Sequence, residues 1–213
     1  MSDKKCELQF AVLGLGRFGM SIVKTLAEYD ANILACDKDA TRLHEATEYA
    51  ATVVQADAAD EDAMKKLGLG NFDVVVLAMG EDFEGTIIAA MLAKEMGAGK
   101  VVAKAYGHRQ LKILESIGVD KVVVPEVEMG VKVARNLVNP NVLDVLERSG
   151  GQSITEMLPQ KEWVGKTIGQ ADIRKEYGYN ILAIVRGKET ILPVTTETMM
   201  HENDILVALN TER

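Results

Sequence analysis

The chain reads as an α/β protein: a doubly wound parallel sheet followed by a small α+β C-terminal lobe. Three features predict this. Short apolar runs alternate with helical patterns of apolar residues as far as residue 125. The first of these runs breaks at a glycine-rich turn and resumes as a helix. Past residue 150 the rhythm changes to short strands separated by turn residues.

Leu8 to Leu13 is the first strand, and the helix after it runs through Ile22, Val23 and Leu26. Between them lies Gly14-Leu15-Gly16-Arg17-Phe18-Gly19. Gly14 permits the tight turn, Gly16 lets the backbone approach a pyrophosphate, and Gly19 lets the helix sit close to the strand. The helix N-terminus offers unpaired N–H groups and a partial positive charge to phosphates. This is the corner of a Rossmann-like nucleotide fold. A second strand, Asn32 to Cys36, ends at Asp37, about twenty residues past the glycines, where an acid grips ribose hydroxyls.

The alternation continues. Leu43 and Ala46 mark a short helix, Thr52 to Gln55 a third strand, and Asp60 is placed to cap a helix running to Leu67. Asp73 to Met79 is a continuously apolar fourth strand, as a strand covered on both faces should be. A helix from Phe83 to Met96 stops at Gly97. Val101 to Lys104 is the fifth strand, His108 to Ile117 a helix, and Lys121 to Val124 the sixth strand, closed by Pro125. From Glu128 a helix through Val131, Ala134, Leu137 and Val138 ends at Asn139-Pro140. A second short helix with Val142, Leu143, Val145 and Leu146 is expected after it. The two read as a connector that packs on another subunit. Ser149-Gly150-Gly151 is the linker candidate. The expected division is residues 1–125, 126–149 and 150–213. In the last part Ile181–Val185, Glu189–Pro193 and Asp204–Leu209 read as strands and Ile168–Tyr177 as a small helix.

Composition narrows the functional classes. The 213 residues are 47% hydrophobic and 26% charged, as in ordinary globular proteins. A formal charge of -8 argues against general nucleic-acid binding. Cys6 and Cys36 make no disulfide framework and no metal spacing, and a reducing cytoplasm is the expected compartment. No stretch approaches the roughly 20 apolar residues of a membrane span, so a soluble protein is expected. His44, His108 and His201 are scattered, and no Ser-His-Asp or Cys-His arrangement stands out.

Several residues carry a functional reading beside a plainer one. Arg17, inside the glycine loop, can clamp terminal phosphates in its own subunit or a neighbour's; otherwise it is a solvated arginine poorly placed against the helix dipole. In Asp37-Lys38-Asp39 the carboxylates suit a free 2′-hydroxyl and would repel a 2′-phosphate, which favours unmodified adenosine ribose over the NADP type. Asp57 can meet an adenine amino group or cap the next helix. Met79-Gly80-Glu81 and Lys104-Ala105-Tyr106 end strands on the ligand-binding edge of the sheet. Glu126 fits near phosphates if a cation lies between, and is otherwise a helix-entry acid.

Taken together, Gly-Leu-Gly-Arg-Phe-Gly with Asp37, Ala56-Asp57-Ala58, Val-Val-Ala-Lys104-Ala and Val-Pro125-Glu126 resembles the RCK (regulator of potassium conductance) domain. The closest likeness is to the cytosolic regulatory subunits of bacterial Ktr potassium-uptake systems. Asn139-Pro140-Asn141-Val142-Leu143-Asp144 looks like the family's crossover helices, and Trp163 to Thr167, Tyr177 to Ile181 and Asn203 to Val207 look like its C-lobe. The resemblance implies a homodimer assembling into an octameric ring, held at the inner face of the membrane by a potassium-translocating subunit. It implies ATP and ADP competing for the N-lobe, with Leu15, Phe18, Ala58 and Gln110 among the contacts. Arg17 would reach phosphates across the dimer, Asp37 and Asp39 would hold ribose, and Asp57 would meet adenine. Glu126 would help place a magnesium, calcium or sodium ion by the γ-phosphate. Many relatives carry asparagine where Asp39 stands, and histidine near Gln110. Some relatives bind cyclic di-AMP in the C-lobe. There Arg174 and Asn180 match phosphate contacts, and Ile168, Ile173, Ile181 and Pro193 match the apolar wall, which core packing explains equally well. The rival readings are an NAD-dependent oxidoreductase, which needs an acid or base beside a substrate pocket, and a regulator that senses NAD(H).

Overall fold

The computed structural model describes residues 7–80, 82–138, 141–148 and 152–211. The expected linker Ser149-Gly150-Gly151, the pair Asn139-Pro140, and Cys6 and Glu81 lie outside the described residues. The chain divides into two compact units after Val127.

The first unit alternates as the sequence predicts: β1 (Gln9–Leu13), α1 (Arg17–Ala27), β2 (Asn32–Asp37), α2 (Ala40–Ala46), β3 (Thr52–Gln55) and α3 (Glu61–Leu67). After them come β4 (Val74–Leu77), α4 (Phe83–Glu95), β5 (Lys100–Lys104), α5 (His108–Ser116), β6 (Lys121–Val123) and the start of α6 (Pro125–Val138), most of which falls in the second unit. The strands pair in parallel in the order β3-β2-β1-β4-β5-β6. Strand side chains alternate between two cores. Ala11, Leu13, Leu34, Cys36, Val75 and Leu77 pack with Met64, Ala89 and Leu114 of α3, α4 and α5. Val12, Ile33, Ala35 and Val76 pack with Met20, Val23, Leu43 and Ala46 of α1 and α2. Burial on both faces is why these strands are continuously apolar. The chain reverses direction across the sheet between β1 and β4, which opens a crevice at their carboxyl ends.

Helix ends follow local chemistry. The Asp60 side chain accepts from the N–H groups of Asp62 and Ala63, and that of Asp82 from Gly85, so each caps its helix. Gly97, at φ +83, ends α4. Pro125 does not merely close β6: it is the first residue of α6, where its missing N–H costs nothing. No side chain of α6 is buried, and Val127, Met129, Leu137 and Val138 are 55%, 57%, 77% and 77% exposed.

The second unit is an antiparallel sheet, β10-β9-β11-β8-β7. Its strands are β7 (Val142–Arg148), β8 (Gln152–Met157), β9 (Tyr179–Arg186), β10 (Glu189–Ile191) and β11 (Ile205–Thr211). Two expectations are corrected here. Val142, Leu143, Val145 and Leu146 lie in a strand, not a second helix, and Val145 stands opposite Thr155, Leu146 opposite Ile154. Apolar residues three and four apart fit a helix, but the edge of β8 offers a row of unpaired backbone groups that a strand satisfies. The predicted helix Ile168–Tyr177 is two short ones, α7 (Ile168–Ala171) and α8 (Ile173–Tyr177), separated by Asp172 in the left-handed conformation at φ +43. The core holds Met157, Trp163, Ile173, Ile184, Met200 and Leu206, with Trp163 edge-on to Tyr177 at 5.0 Å between centroids.

At one end of that core Asp204 is wholly buried. Arg186 grips it bidentately, Nε to Oδ1 and Nη2 to Oδ2 at 2.8 Å each, and the His201 N–H donates to Oδ2 at 2.8 Å. The guanidinium, with the His201 N–H, holds the Asp204 carboxyl below the usual carboxylate range against the opposing effect of burial.

Candidate nucleotide site

The glycine loop is built by close approach. Gly14 has φ +90, and a Cβ there would stand 2.8 Å from the Met79 backbone nitrogen. A Cβ on Gly19 would collide with the Gly14 carbonyl oxygen. Gly16 is different: its φ of -66 suits any residue, and a Cβ would meet nothing within 4 Å. That open space lies over the start of α1, whose N-cap is Gly16 itself with no side-chain cap and no acid in the first turn. The first N–H groups of α1 are therefore left for an anion.

The crevice in front of the loop has a volume of about 950 Å³. Of the expected site residues it gathers Gly14, Gly16, Arg17, Phe18, Asp37 and Lys38, and from later strands Asp57, Ala58, Met79, Gly80, Lys104, Tyr106 and Glu126. At the end of β2, Asp37 is 5% exposed and already occupied. Its Oδ2 accepts from the Leu15 N–H at 2.6 Å and its Oδ1 from the Asp39 N–H at 2.9 Å. The acid thus fastens the glycine loop to the end of β2, and a carboxylate keeps further acceptor directions for a ribose hydroxyl. Asp57 accepts from the Ala59 N–H at 3.0 Å in a local turn; Asp60, not Asp57, caps α3.

Among the described residues, five expected ones stand outside the lining. Leu15 and Ala105 are buried, Gly19 sits beneath the loop, and Asp39 is turned to capping α2 through the Thr41 N–H at 2.9 Å. The Thr41 hydroxyl and N–H hold the Asp39 carboxyl below its ordinary range. Gln110 accepts from the Tyr106 N–H at 2.8 Å, so it positions the turn that carries the Tyr106 ring. Gln110→Ala is expected to weaken nucleotide binding about threefold by loosening that turn, with less than about 1 kcal/mol lost in stability, as calorimetric titration and urea unfolding would measure.

Two charged lining residues, Arg42 and Asp82, have no expectation behind them. Arg42 places Nη1 3.4 Å from Asp37 Oδ2 and Nε 3.7 Å from Asp39 Oδ2. Asp82 receives Lys38 at 3.6 Å across the mouth of the crevice. Each lies in the first turn or cap of the helix after a strand on the ligand-binding edge, the signal that could have found them.

At the ends of β5 and β6, Lys104 donates to Glu126 Oε1 at 2.6 Å. The lysine is buried, its ammonium 4.7 Å from the Tyr106 ring centre and 5.7 Å from that of Phe18. The Lys104 ammonium, above all, holds the Glu126 carboxyl below the usual glutamate range, and Arg17 adds to it. Among the described residues no group of three His, Cys, Asp or Glu side chains could hold a metal. Glu126 is the carboxylate that would help hold a cation brought in with nucleotide phosphates, the way magnesium is bound with one or two protein carboxylates.

In the second unit Arg174, Asn180 and Pro193 are exposed, Ile168 and Ile181 half-buried. Ile173, at 1% exposure, belongs to the core.

An uncapped helix at the switch point of a doubly wound sheet, with Asp37 and Asp57 lining the crevice beside it, defines a Rossmann-type nucleotide-binding module, here followed by a small antiparallel lobe. The TrkA-N domain matches residues 10–125 and the TrkA-C domain residues 156–211. Ktr system potassium uptake protein C of Bacillus subtilis (strain 168) is 42% identical over 202 residues, covering 94% of this chain and 91% of that protein. Ktr system potassium uptake protein A of the same strain is 36% identical over 201 residues, covering 94% and 90%. The chain belongs to the RCK-domain family, among the Ktr-type potassium uptake proteins. The GsuK channel bound to NAD shares the fold, with a TM-score of 0.67 at 14% identity over 97% of this chain, which spans 38% of that one. Among the described residues no helix is long and apolar enough to cross a membrane.

Proposed function

We propose that the chain is a nucleotide-gated regulatory subunit of a Ktr-type potassium uptake system, cytoplasmic and held at the inner face of the membrane by a potassium-translocating partner. It binds ATP or ADP and makes or breaks no bond. The observation that carries this reading is the phosphate end of the crevice. The uncapped start of α1, Arg17 and the Lys104–Glu126 pair all line it, in a chain that aligns over 94% of its length with a potassium uptake protein.

The mechanism is differential binding: a nucleotide shifts an assembly only by as much as its affinities for the two shapes differ. The γ-phosphate supplies that difference through Arg17 and through a magnesium, calcium or sodium ion beside Glu126. The assembly is a homodimer built into an octameric ring. The exposed apolar residues of α6, Val127, Met129, Leu137 and Val138, support a packed subunit contact there. Cyclic di-AMP acts on the second unit through Arg174 and Asn180, with Ile168, Ile181 and Pro193 beside it.

Thermal-shift titration with ATP, ADP, NADH and cyclic di-AMP tests the reading. Stabilisation by ATP and ADP supports it; stabilisation by NADH alone turns it to an NAD(H) sensor, and turnover of NADH with a carbonyl substrate turns it to an oxidoreductase. The chain has one tryptophan, Trp163 of the second unit, so its fluorescence reports cyclic di-AMP there separately. Arg17→Ala is expected to lower ATP affinity about tenfold and ADP affinity less than threefold, since a guanidinium–phosphate contact contributes roughly 1.5–3 kcal/mol. Equal losses for the two nucleotides would remove Arg17 from the γ-phosphate.

A further inference from the structure

Lys104 and Glu126 form a site with a conflict built into it. Among the described residues Glu126 is the carboxylate at the phosphate end placed to help hold a cation, yet its Oε1 already accepts from Lys104 at 2.6 Å. The pair is not a loose surface contact. The lysine side chain is 10% exposed, and its ammonium faces the rings of Tyr106 and Phe18 at 4.7 and 5.7 Å. Gly80 keeps room for this box: a Cβ there would stand 2.8 Å from the Tyr106 ring and 3.3 Å from Lys104 Cδ. The Glu126 side chain is 54% exposed toward the crevice, so the lysine is fixed while the carboxylate can turn.

We propose that Lys104 is a tethered counter-cation that competes with the free cation for Glu126, and so makes cation binding depend on the nucleotide's phosphates. The proposal rests on the nucleotide-gated reading above. Without phosphates the ammonium has one anionic partner, Glu126, and a free cation must displace it to bind. When phosphates occupy the start of α1, the ammonium gains a second anionic partner without leaving its aromatic box. Glu126 is then released to the cation that bridges it to the phosphates. Nucleotide and cation thereby promote each other's binding reciprocally, as linkage requires. The same residue penalises cation binding without nucleotide, and nucleotide binding without cation is partly supported by the ammonium itself. Lys104 is thus a specificity-determining residue for the joint signal.

The test compares ATP affinity with and without magnesium, by calorimetric titration of the full chain, in wild type, Lys104→Met and Glu126→Gln. Complexation of magnesium by ATP in solution is common to all three and cancels from the comparison. Methionine keeps the length of the side chain between the two rings and removes its charge. Lys104→Met is expected to lower the ratio of the two affinities at least tenfold, because the cation then binds Glu126 without displacing an ammonium even when no phosphates are present, and the coupling between the two ligands falls by the same factor in both directions. Glu126→Gln is expected to bring the ratio toward that of ATP sites without a cation contact. A Lys104→Met ratio within twofold of wild type overturns the proposal and leaves the parent reading intact, with Lys104 a simple phosphate ligand. No ATP binding by wild type overturns both. Lys104→Gln repeats the measurement if methionine disturbs folding.

Discussion

Gly16→Asp is expected to leave the protein as stable as wild type, within about 0.5 kcal/mol, while ATP and ADP affinity fall at least about a hundredfold. The two halves of this result have separate causes. At φ -66 and ψ -176 the residue sits in extended backbone that aspartate adopts freely, and its Cβ would point into open space. The new carboxylate would cap the first N–H groups of α1, which now have no side-chain cap. Aspartate and glycine differ by only a few tenths of a kcal/mol as caps, so folding barely notices. The nucleotide meets a filled anion site and a fixed negative charge where its phosphates belong. Urea unfolding without nucleotide measures the first half, and calorimetric titration with ATP and ADP the second. A variant that still binds both nucleotides within tenfold of wild type would place the phosphates elsewhere than on α1.

Asp204→Ala carries the largest expected cost in the second unit, about 3 kcal/mol at pH 7. It strands the Arg186 guanidinium, which donates twice to the carboxylate, and the His201 N–H. The cost sits at the lower end for a buried pair because the Arg186 side chain is 34% exposed and water reaches it. Asp204→Asn keeps the shape and one acceptor and should cost less. The pH dependence has a definite sign. The folded carboxyl is held below its ordinary value, chiefly by Arg186. Its contribution is therefore full above the unfolded pKa of about 3.9 and lost as pH falls through the lower folded value. Urea unfolding followed by Trp163 fluorescence should show wild type losing stability below about pH 4, with a shallower loss there in Asp204→Asn. Equal slopes would mean that the pair does not set the acid stability of this unit.

Much of the first unit was legible because its signals are local. A strand covered on both faces must be apolar at every position, and glycine is required where Gly14 and Gly19 approach other backbone; both facts are printed in the chain. The caps Asp60 and Gly97 are likewise properties of a few neighbouring residues. The site was harder. Asp37 was expected to hold ribose, but that it also clips the Leu15 N–H depends on how β2 lies against the glycine loop. Arg42 and Asp82 were missed because a charged residue near a helix start looks the same whether it faces solvent or a crevice.

The strand β7 marks where local reading stops. Val142, Leu143, Val145 and Leu146 are spaced for a helix face, and only the open edge of β8 makes a strand the better use of their backbone groups. Likewise, composition and spacing put Lys104 at a strand end and Glu126 after a proline, but not 2.6 Å apart. Sequence alone determined the order of elements in the first unit and the glycine loop, because each rests on residues within a turn or two of one another, and the family, because its short motifs recur in order along the chain. Tertiary structure decided which acid caps and which faces the crevice, which segment joins the second sheet, and which cation holds Glu126, because those outcomes depend on groups far apart in the chain competing for the same hydrogen bonds.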